Sequence, residues 1–245
     1  MKNKIWIMSF HYSPKIVTDG LIFYVDASNK KSIVNGDTIW KDLTENNFDS
    51  TLTSGVTYNS NSNGVLDFDG VSSYCQLPQI TTNNTIGNYS FSIWFSPTNT
   101  IDASNTNYYM LFEAQNTPIA NSPDNYLYFL NSGGFITFGT FTPTDNLLTT
   151  TNEWFGGKWY NISCTYDIST STKSIYVNGV LENSVGGVIN SYLNTSTHRG
   201  IGAYSSPSRI WVFPGMISNF LIYTKTLSSV EVLQNYNTLK TRFGL

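Results

Sequence analysis

Bulky and small polar residues alternate along Trp159-Tyr160-Asn161-Ile162-Ser163-Cys164-Thr165-Tyr166, so Tyr160, Ile162, Cys164 and Tyr166 share one face. A polar turn, Asp167 to Lys173, leads into Ser174–Val177, and Asn178-Gly179 closes that strand onto Val180-Leu181. Asn-Gly between apolar runs predicts a type I′ hairpin, because both central residues of that turn need φ > 0. The period of two predicts antiparallel sheet with one face on a core and one face wet.

The same pattern recurs along the chain. Gly20–Asp26, Gly64–Gly70 and Ser73–Leu77 read as strands, followed by Tyr89–Phe95, whose Phe91, Ile93 and Phe95 share a face. Tyr108–Glu113, Tyr126–Leu130, Phe135–Phe141, Gly200–Tyr204, Ile210–Phe213 and Ile217–Tyr223 complete the set. Short strands separated by Gly, Asn, Ser and Pro turns indicate a sandwich or barrel. Only the end of the chain reads as helix. Ser228 is an N-cap, Glu231 three residues on completes a capping box, and Leu227 staples onto Val232. Val230, Leu233 and Tyr236 continue at helical spacing, and Gly244 is the stop. No linker, charge block or repeat divides the 245 residues, so one domain is expected over residues 18–245, preceded by an arm at 1–17.

Charged residues make up only 12% of the chain and its net charge is −3. That balance argues against electrostatic nucleic-acid binding. No apolar run approaches membrane-spanning length, so no membrane insertion is expected. Met1–Phe10 imitates the start of a signal peptide, but the apolar run is short and lacks a small-residue cleavage site, so no signal peptide is expected. Cys75 and Cys164 are expected as small buried thiols, with pairing left open.

Several motifs in sequence order resemble laminin-G-like, concanavalin A-like domains. They are Gly20–Ala27, Trp40-Lys41-Asp42-Leu43, Leu66–Gly70 with Tyr74, Tyr89–Phe95, Lys158-Trp159-Tyr160, Ile175–Gly179, Gly215–Phe220, and Ile222–Ser228 with Glu231–Leu233. The resemblance implies an all-β jelly-roll sandwich of two antiparallel sheets with a short C-terminal helix. Ser13–Gly20, Gln234–Asn237 and Arg242–Leu245 resemble the edges of stand-alone domains of this type encoded by tailed bacteriophages. That narrower resemblance implies a location on the virion, as a capsid decoration, fibre or tail component.

The fold also houses glucan hydrolases, so chemistry has to be sought residue by residue. The alternating Glu-x-Asp-x-x-Glu of the glucanase branch is absent, and Glu45, Glu113, Glu153, Glu182 and Glu231 are scattered. Asp67 and Asp69 alternate on a strand but read as a solvated residue and an Asp-Gly turn. Gly-x-Ser-x-Gly is absent, and His11 and His198 are the only histidines. The resulting expectation is that the chain is not an enzyme and has no catalytic residues or cofactor.

The family resemblance leaves a structural calcium ion open, with Asp19, Asp26, Asp69 and Asp167 as candidate oxygen donors and the metal content unknown. For glycans or a protein partner, the loop aromatics Tyr108, Tyr109, Trp154 and Tyr204 stand beside amide and hydroxyl groups. In the arm, Ile5, Trp6, Ile7 and Phe10 are apolar residues in need of a partner surface, which makes the arm a candidate docking segment. The reading is a non-enzymatic virion structural or surface protein that displays a lectin-like sandwich. Its partners would be capsid or tail proteins, and it would be open to self-association as a homo-oligomer. The alternative is a glycan-binding adhesin for host-surface carbohydrate.

Overall fold

The computed structural model describes residues 15–60, 63–80, 87–115, 125–129, 133–139, 147–188, 198–204 and 210–245. In chain order the strands are β1 (Leu21–Asp26), β2 (Ile39–Trp40), β3 (Ser50–Leu52), β4 (Thr57–Asn59), β5 (Val65–Asp69) and β6 (Cys75–Gln76). There follow β7 (Tyr89–Pro97), β8 (Tyr109–Gln115), β9 (Asn125–Phe129), β10 (Ile136–Gly139) and β11 (Leu147–Leu148). The last are β12 (Tyr160–Asp167), β13 (Thr172–Val177), β14 (Val180–Val185), β15 (His198–Ile201) and β16 (Pro214–Tyr223), before helix α1 (Ser229–Leu239) and a 3-10 turn, Lys240–Phe243.

These strands form two eight-stranded antiparallel sheets, a jelly-roll-like sandwich of the expected class. Sheet A has the order β14-β13-β12-β7-β16-β5-β4, with β1 pairing on the second half of β16. Sheet B has the order β11-β10-β9-β8-β15-β6-β3-β2. The alternation of β7 and β12 does what it predicts: Phe91, Ile93 and Phe95, with Ile162, Cys164 and Tyr166, point into the space between the sheets. Phe91 of sheet A meets Phe112 and Phe138 of sheet B with ring centroids 4.9 and 5.3 Å apart. Each fully buried ring of this kind contributes about 1.5–3 kcal/mol of transfer free energy. Asn178 and Gly179 adopt φ of 50° and 79°, the two positive values a type I′ turn requires. Both cysteines are buried and unpaired.

Sheet A departs from the expected wet face. Every residue of β7 is buried, the outward Ser92 and Trp94 included. The cover is the C-terminal helix, capped by Ser228 and Glu231 as the capping box predicts, with Leu227 and Val232 in one cluster. Trp94 lies stacked between Tyr236 (5.5 Å) and Phe243 (4.4 Å). Polar groups sealed beneath the helix pair with one another: the Asn161 amide donates to Ser92 Oγ at 3.0 Å, and the Ser163 hydroxyl lies 2.9 Å from the same oxygen. A sequence period cannot reveal a cover supplied by a distant segment, so the wet-face expectation fails here.

The beginning of the described chain joins this cover. Val17 N–H donates to Asn235 Oδ1 at 2.8 Å, Tyr223 OH donates to Val17 O at 3.1 Å, and Gln234 donates to Lys15 O at 2.8 Å. Lys15 to Val17, assigned to the arm by sequence, therefore dock on their own sandwich. Ile5, Trp6, Ile7 and Phe10 lie outside the described residues.

An ion pair between the half-buried Arg242 and the buried Asp26 locks the end of the chain to its beginning. Arg242 grips Asp26 with two parallel bonds of 2.8 and 2.9 Å, and Tyr24 OH donates to the same carboxylate at 2.8 Å. Burial pushes the Asp26 carboxyl up, but the hydrogen bonds and charge of Arg242 outweigh it, and the net direction is down. Among the described residues no helix is long and apolar enough to cross a membrane.

Candidate functional site

The opposite outer face, that of sheet B, carries a different arrangement. In β9, Leu127 and Phe129 enter the core, so Tyr126 and Tyr128 project outward. Tyr108, Tyr204 and Trp211 join them, and all five aromatics are half-buried. Trp211 is the hub: its ring centroid lies 4.7 Å from Tyr108, 5.0 Å from Tyr204 and 6.4 Å from Tyr128. Tyr126 contacts Tyr128 edge to face at 6.4 Å and Tyr204 at 6.3 Å. Burial, together with neighbouring Tyr108, pushes the Tyr128 hydroxyl above the usual phenol range.

Trp211 has a φ of 57°, in the left-handed region. For a bulky L-residue that conformation costs about 1–2 kcal/mol. Its surroundings enforce it. Ile210 exchanges both backbone hydrogen bonds with Tyr204, at 2.9 and 3.0 Å; Met110 N–H donates to Trp211 O at 2.7 Å; and Phe213 N–H donates to Gly202 O at 2.7 Å. Backbone strain held in place by its neighbours is characteristic of functional sites.

Beside the hub is a groove of about 310 Å³ lined by Gly70, Thr106, Asn107, Tyr108, Tyr109, Trp211 and Val212. Asn107 Nδ2 donates to Tyr109 OH at 3.2 Å, and Asn105 Nδ2 holds the loop by donating to Asn107 O at 2.6 Å. Flat aromatic walls with a few amide and hydroxyl groups are the usual composition of a small-ligand site.

Three of the four aromatics picked from sequence thus gather at one place: Tyr108 and Tyr204 against Trp211, and Tyr109 in the groove wall. Trp154 does not. It is fully buried, bridged to Ile101, and its indole N–H donates to Gly134 O at 2.8 Å, so its role is in the core. A shallow hollow of about 380 Å³ between Asp102–Ser104 and Asn152-Glu153 lies next to it in sequence but has no aromatic wall. The sequence reading missed Trp211, Tyr126 and Tyr128. The Tyr-Leu-Tyr-Phe alternation of β9 already placed the two tyrosines on one outward face. Trp211 was hidden inside an apolar run, Ile210–Phe213, that read as a strand.

The candidate calcium donors are engaged elsewhere. Asp19 pairs with Lys225 at 2.7 Å, Asp26 with Arg242, and Asp167 accepts from Ser169. Asp69 accepts the backbone N–H groups of Val71, Ser72 and Ser73. Burial pushes its carboxyl up, but these bonds together outweigh that and hold it well below the usual carboxylate range. Asp67 accepts from Asn59 at 2.9 Å. Among the described residues no three His, Cys, Asp or Glu side chains form a metal-binding group. His198 lies in β15, and His11 is outside the described residues.

A laminin-G-type model of the Concanavalin A-like lectin/glucanases superfamily matches residues 69–233, more than half of the chain. No curated protein sequence matches. Among solved structures, the chain resembles a Trypanosoma rangeli sialidase in complex with sialic acid, with a TM-score of 0.66 at 17% identity over 91% of this chain and 33% of the other. It also resembles the botulinum neurotoxin serotype G binding domain, with a TM-score of 0.63 at 16% identity over 88% of this chain and 50% of the other. The serotype D binding domain gives a TM-score of 0.63 at 18% identity, over 89% and 51%. The chain thus spans a third to a half of these proteins, and the likeness is one of fold. It corrects one expectation. Solved structures that share this fold include sialidases, which are enzymes, so the exclusion of an enzyme drawn from missing glucanase and hydrolase motifs does not stand.

Proposed function

The chain belongs to the concanavalin A-like lectin/glucanase superfamily, and on that premise we propose that it binds carbohydrate through the Trp211 groove on the outer face of sheet B. The observation that carries this reading is the strained Trp211, in ring contact with three tyrosines beside a groove with amide and hydroxyl groups. A pyranose ring has an apolar C–H face and a hydroxyl rim. Aromatic planes receive the first, and Asn107, Thr106 and the Tyr109 hydroxyl receive the second. The superfamily to which the chain belongs includes lectins, which supports the same reading.

An open groove gains little per contact after ordering costs, so a single site is expected to bind weakly and to depend on multivalent display. The test is a glycan array probed with monomer and with a multimerised form, followed by titration of Trp211→Ala. Loss of binding in a folded Trp211→Ala protein supports the site. Undiminished binding by that variant places the site elsewhere, and no binding by the multimer removes the reading.

For the biological setting we propose display on a virion surface, with capsid or tail proteins as partners. Lys15 meets the helix that covers sheet A, on the side opposite Trp211, so a preceding segment anchored to a particle would leave the groove facing outward. The phage-like edges of the sequence support the same setting. Mass spectrometry of purified particles tests it directly, and absence of the chain from them would reject it. Incorporation after removal of Met1 to Pro14 tests the docking arm.

A further inference from the structure

We infer that the Trp211 groove selects neutral sugars and disfavours sialylated ones, an inference that rests on the carbohydrate reading above. The argument starts from charge. A sialic acid carries a carboxylate that loses water on binding and needs a cation or a set of N–H donors in exchange. Among the described residues the groove has no charged side chain in its lining: its polar groups are Thr106, Asn107 and tyrosine hydroxyls.

Backbone donors are close by, but the protein's own anion has taken them. The turn that follows β5 points the N–H groups of Val71, Ser72 and Ser73 inward, at 2.8, 2.8 and 2.9 Å from Asp69 Oδ1. The hydroxyl of Ser73 adds a fourth bond at 2.7 Å. Such a turn is a ready-made anion seat, and it is already filled. Its occupant stays ionised, because every one of these bonds favours the carboxylate form. Asp69 is exposed and immediately precedes Gly70, which forms part of the groove wall. These backbone donors are therefore closed to a ligand carboxylate, and a negatively charged residue stands one position from the groove wall.

What remains suits an uncharged ring. Tyr108 and Trp211 meet at 4.7 Å with a 37° tilt, a wedge of two apolar planes. The Asn107 amide and the Tyr109 hydroxyl offer both donor and acceptor capacity to sugar hydroxyls.

The experiment uses the full chain and an array of matched glycans, each neutral oligosaccharide beside its sialylated form, with dissociation constants for the leading pair from titration calorimetry. The expected result is at least tenfold tighter binding of the neutral member. Asp69→Asn is expected to narrow that ratio by improving the sialylated member, as is raising the salt concentration, since both weaken the repulsion. Segment 205–209 lies outside the described residues and contains Arg209, so the pair is also measured on Arg209→Gln, where the order of affinities should persist. Tighter binding of the sialylated member overturns the inference and leaves the carbohydrate reading standing. If neither member of any pair binds at millimolar concentration, both fall. Should Asp69→Asn fail to fold, the salt series on the natural chain carries the same test.

Discussion

Two tryptophans on opposite outer faces of the sandwich show what a cover does. Trp94 projects from sheet A and is fully buried, stacked against Tyr236 and Phe243. Trp211 lies over sheet B with a comparable set of rings around it, yet it is half-buried, and its ring contacts among the described residues come from Tyr108, Tyr128 and Tyr204. The first cluster is closed by α1 and the 3-10 turn. None of the second cluster's ring partners among the described residues comes from α1. Its backbone is also strained, whereas Trp94 sits in regular strand. A relaxed, covered aromatic cluster stabilises the fold. A strained, partly open one costs stability, and the proposed binding of a ligand there would give that cost a physical rationale.

The largest expected effect breaks the covered side. Trp94→Ala should lower unfolding free energy by about 3–5 kcal/mol, the usual cost of emptying a buried aromatic site. Denaturant unfolding measures it, and a loss comparable to that of Trp211→Ala would erase the contrast between the faces.

Next comes the lock at the edge of the same cover. Arg242→Met should cost about 3 kcal/mol at neutral pH, because it strands a buried carboxylate. The pH dependence separates this from simple loss of packing. Folded Asp26 titrates below its unfolded value of about 3.9, so its stabilising contribution is present above pH ~4 and lost as pH falls through the lower folded value. The natural chain should therefore weaken on acidification. In Arg242→Met the Tyr24 and Ser28 hydrogen bonds still favour the carboxylate, but the largest opposition to burial is gone, so the loss of stability on acidification should shrink. Urea midpoints at neutral and acidic pH distinguish the two.

The smallest effect sharpens the open side. At a φ of 57°, glycine is at ease and alanine is not, so Trp211→Gly should be more stable than Trp211→Ala by about 1 kcal/mol. Equal stabilities would show that the loop relaxes freely and that no strain is held there.

The contrast also explains what the sequence made legible. Long alternating strands such as β7 and β12, the Asn178-Gly179 turn and the Ser228–Glu231 cap each carry a local signal, and each was read in place. Strands β2, β3, β4 and β11 are two or three residues long, too short to show a period, and exist because a neighbour offers its edge. The cover over β7 comes from a segment more than a hundred residues further along the chain, so no local pattern announces it. At the site, Tyr108, Tyr109 and Tyr204 were legible as loop aromatics beside polar groups. Trp154 had the same signature, but its bridge to Ile101 turns it inward. Trp211 was illegible because a left-handed residue inside an apolar run looks like strand.

The pairing of β1 with β16 has a consequence in time. Leu21 to Asp26 find their partners at Asn219 to Tyr223, and Val17 binds Asn235, 218 residues along the chain. Contacts this far apart form only after a large loop closes, which slows folding. The first strand therefore waits, unpaired along that edge, until the last strand and helix exist. Until then Trp94 has no lid, and the nascent sandwich exposes on sheet A an apolar surface that the finished protein hides.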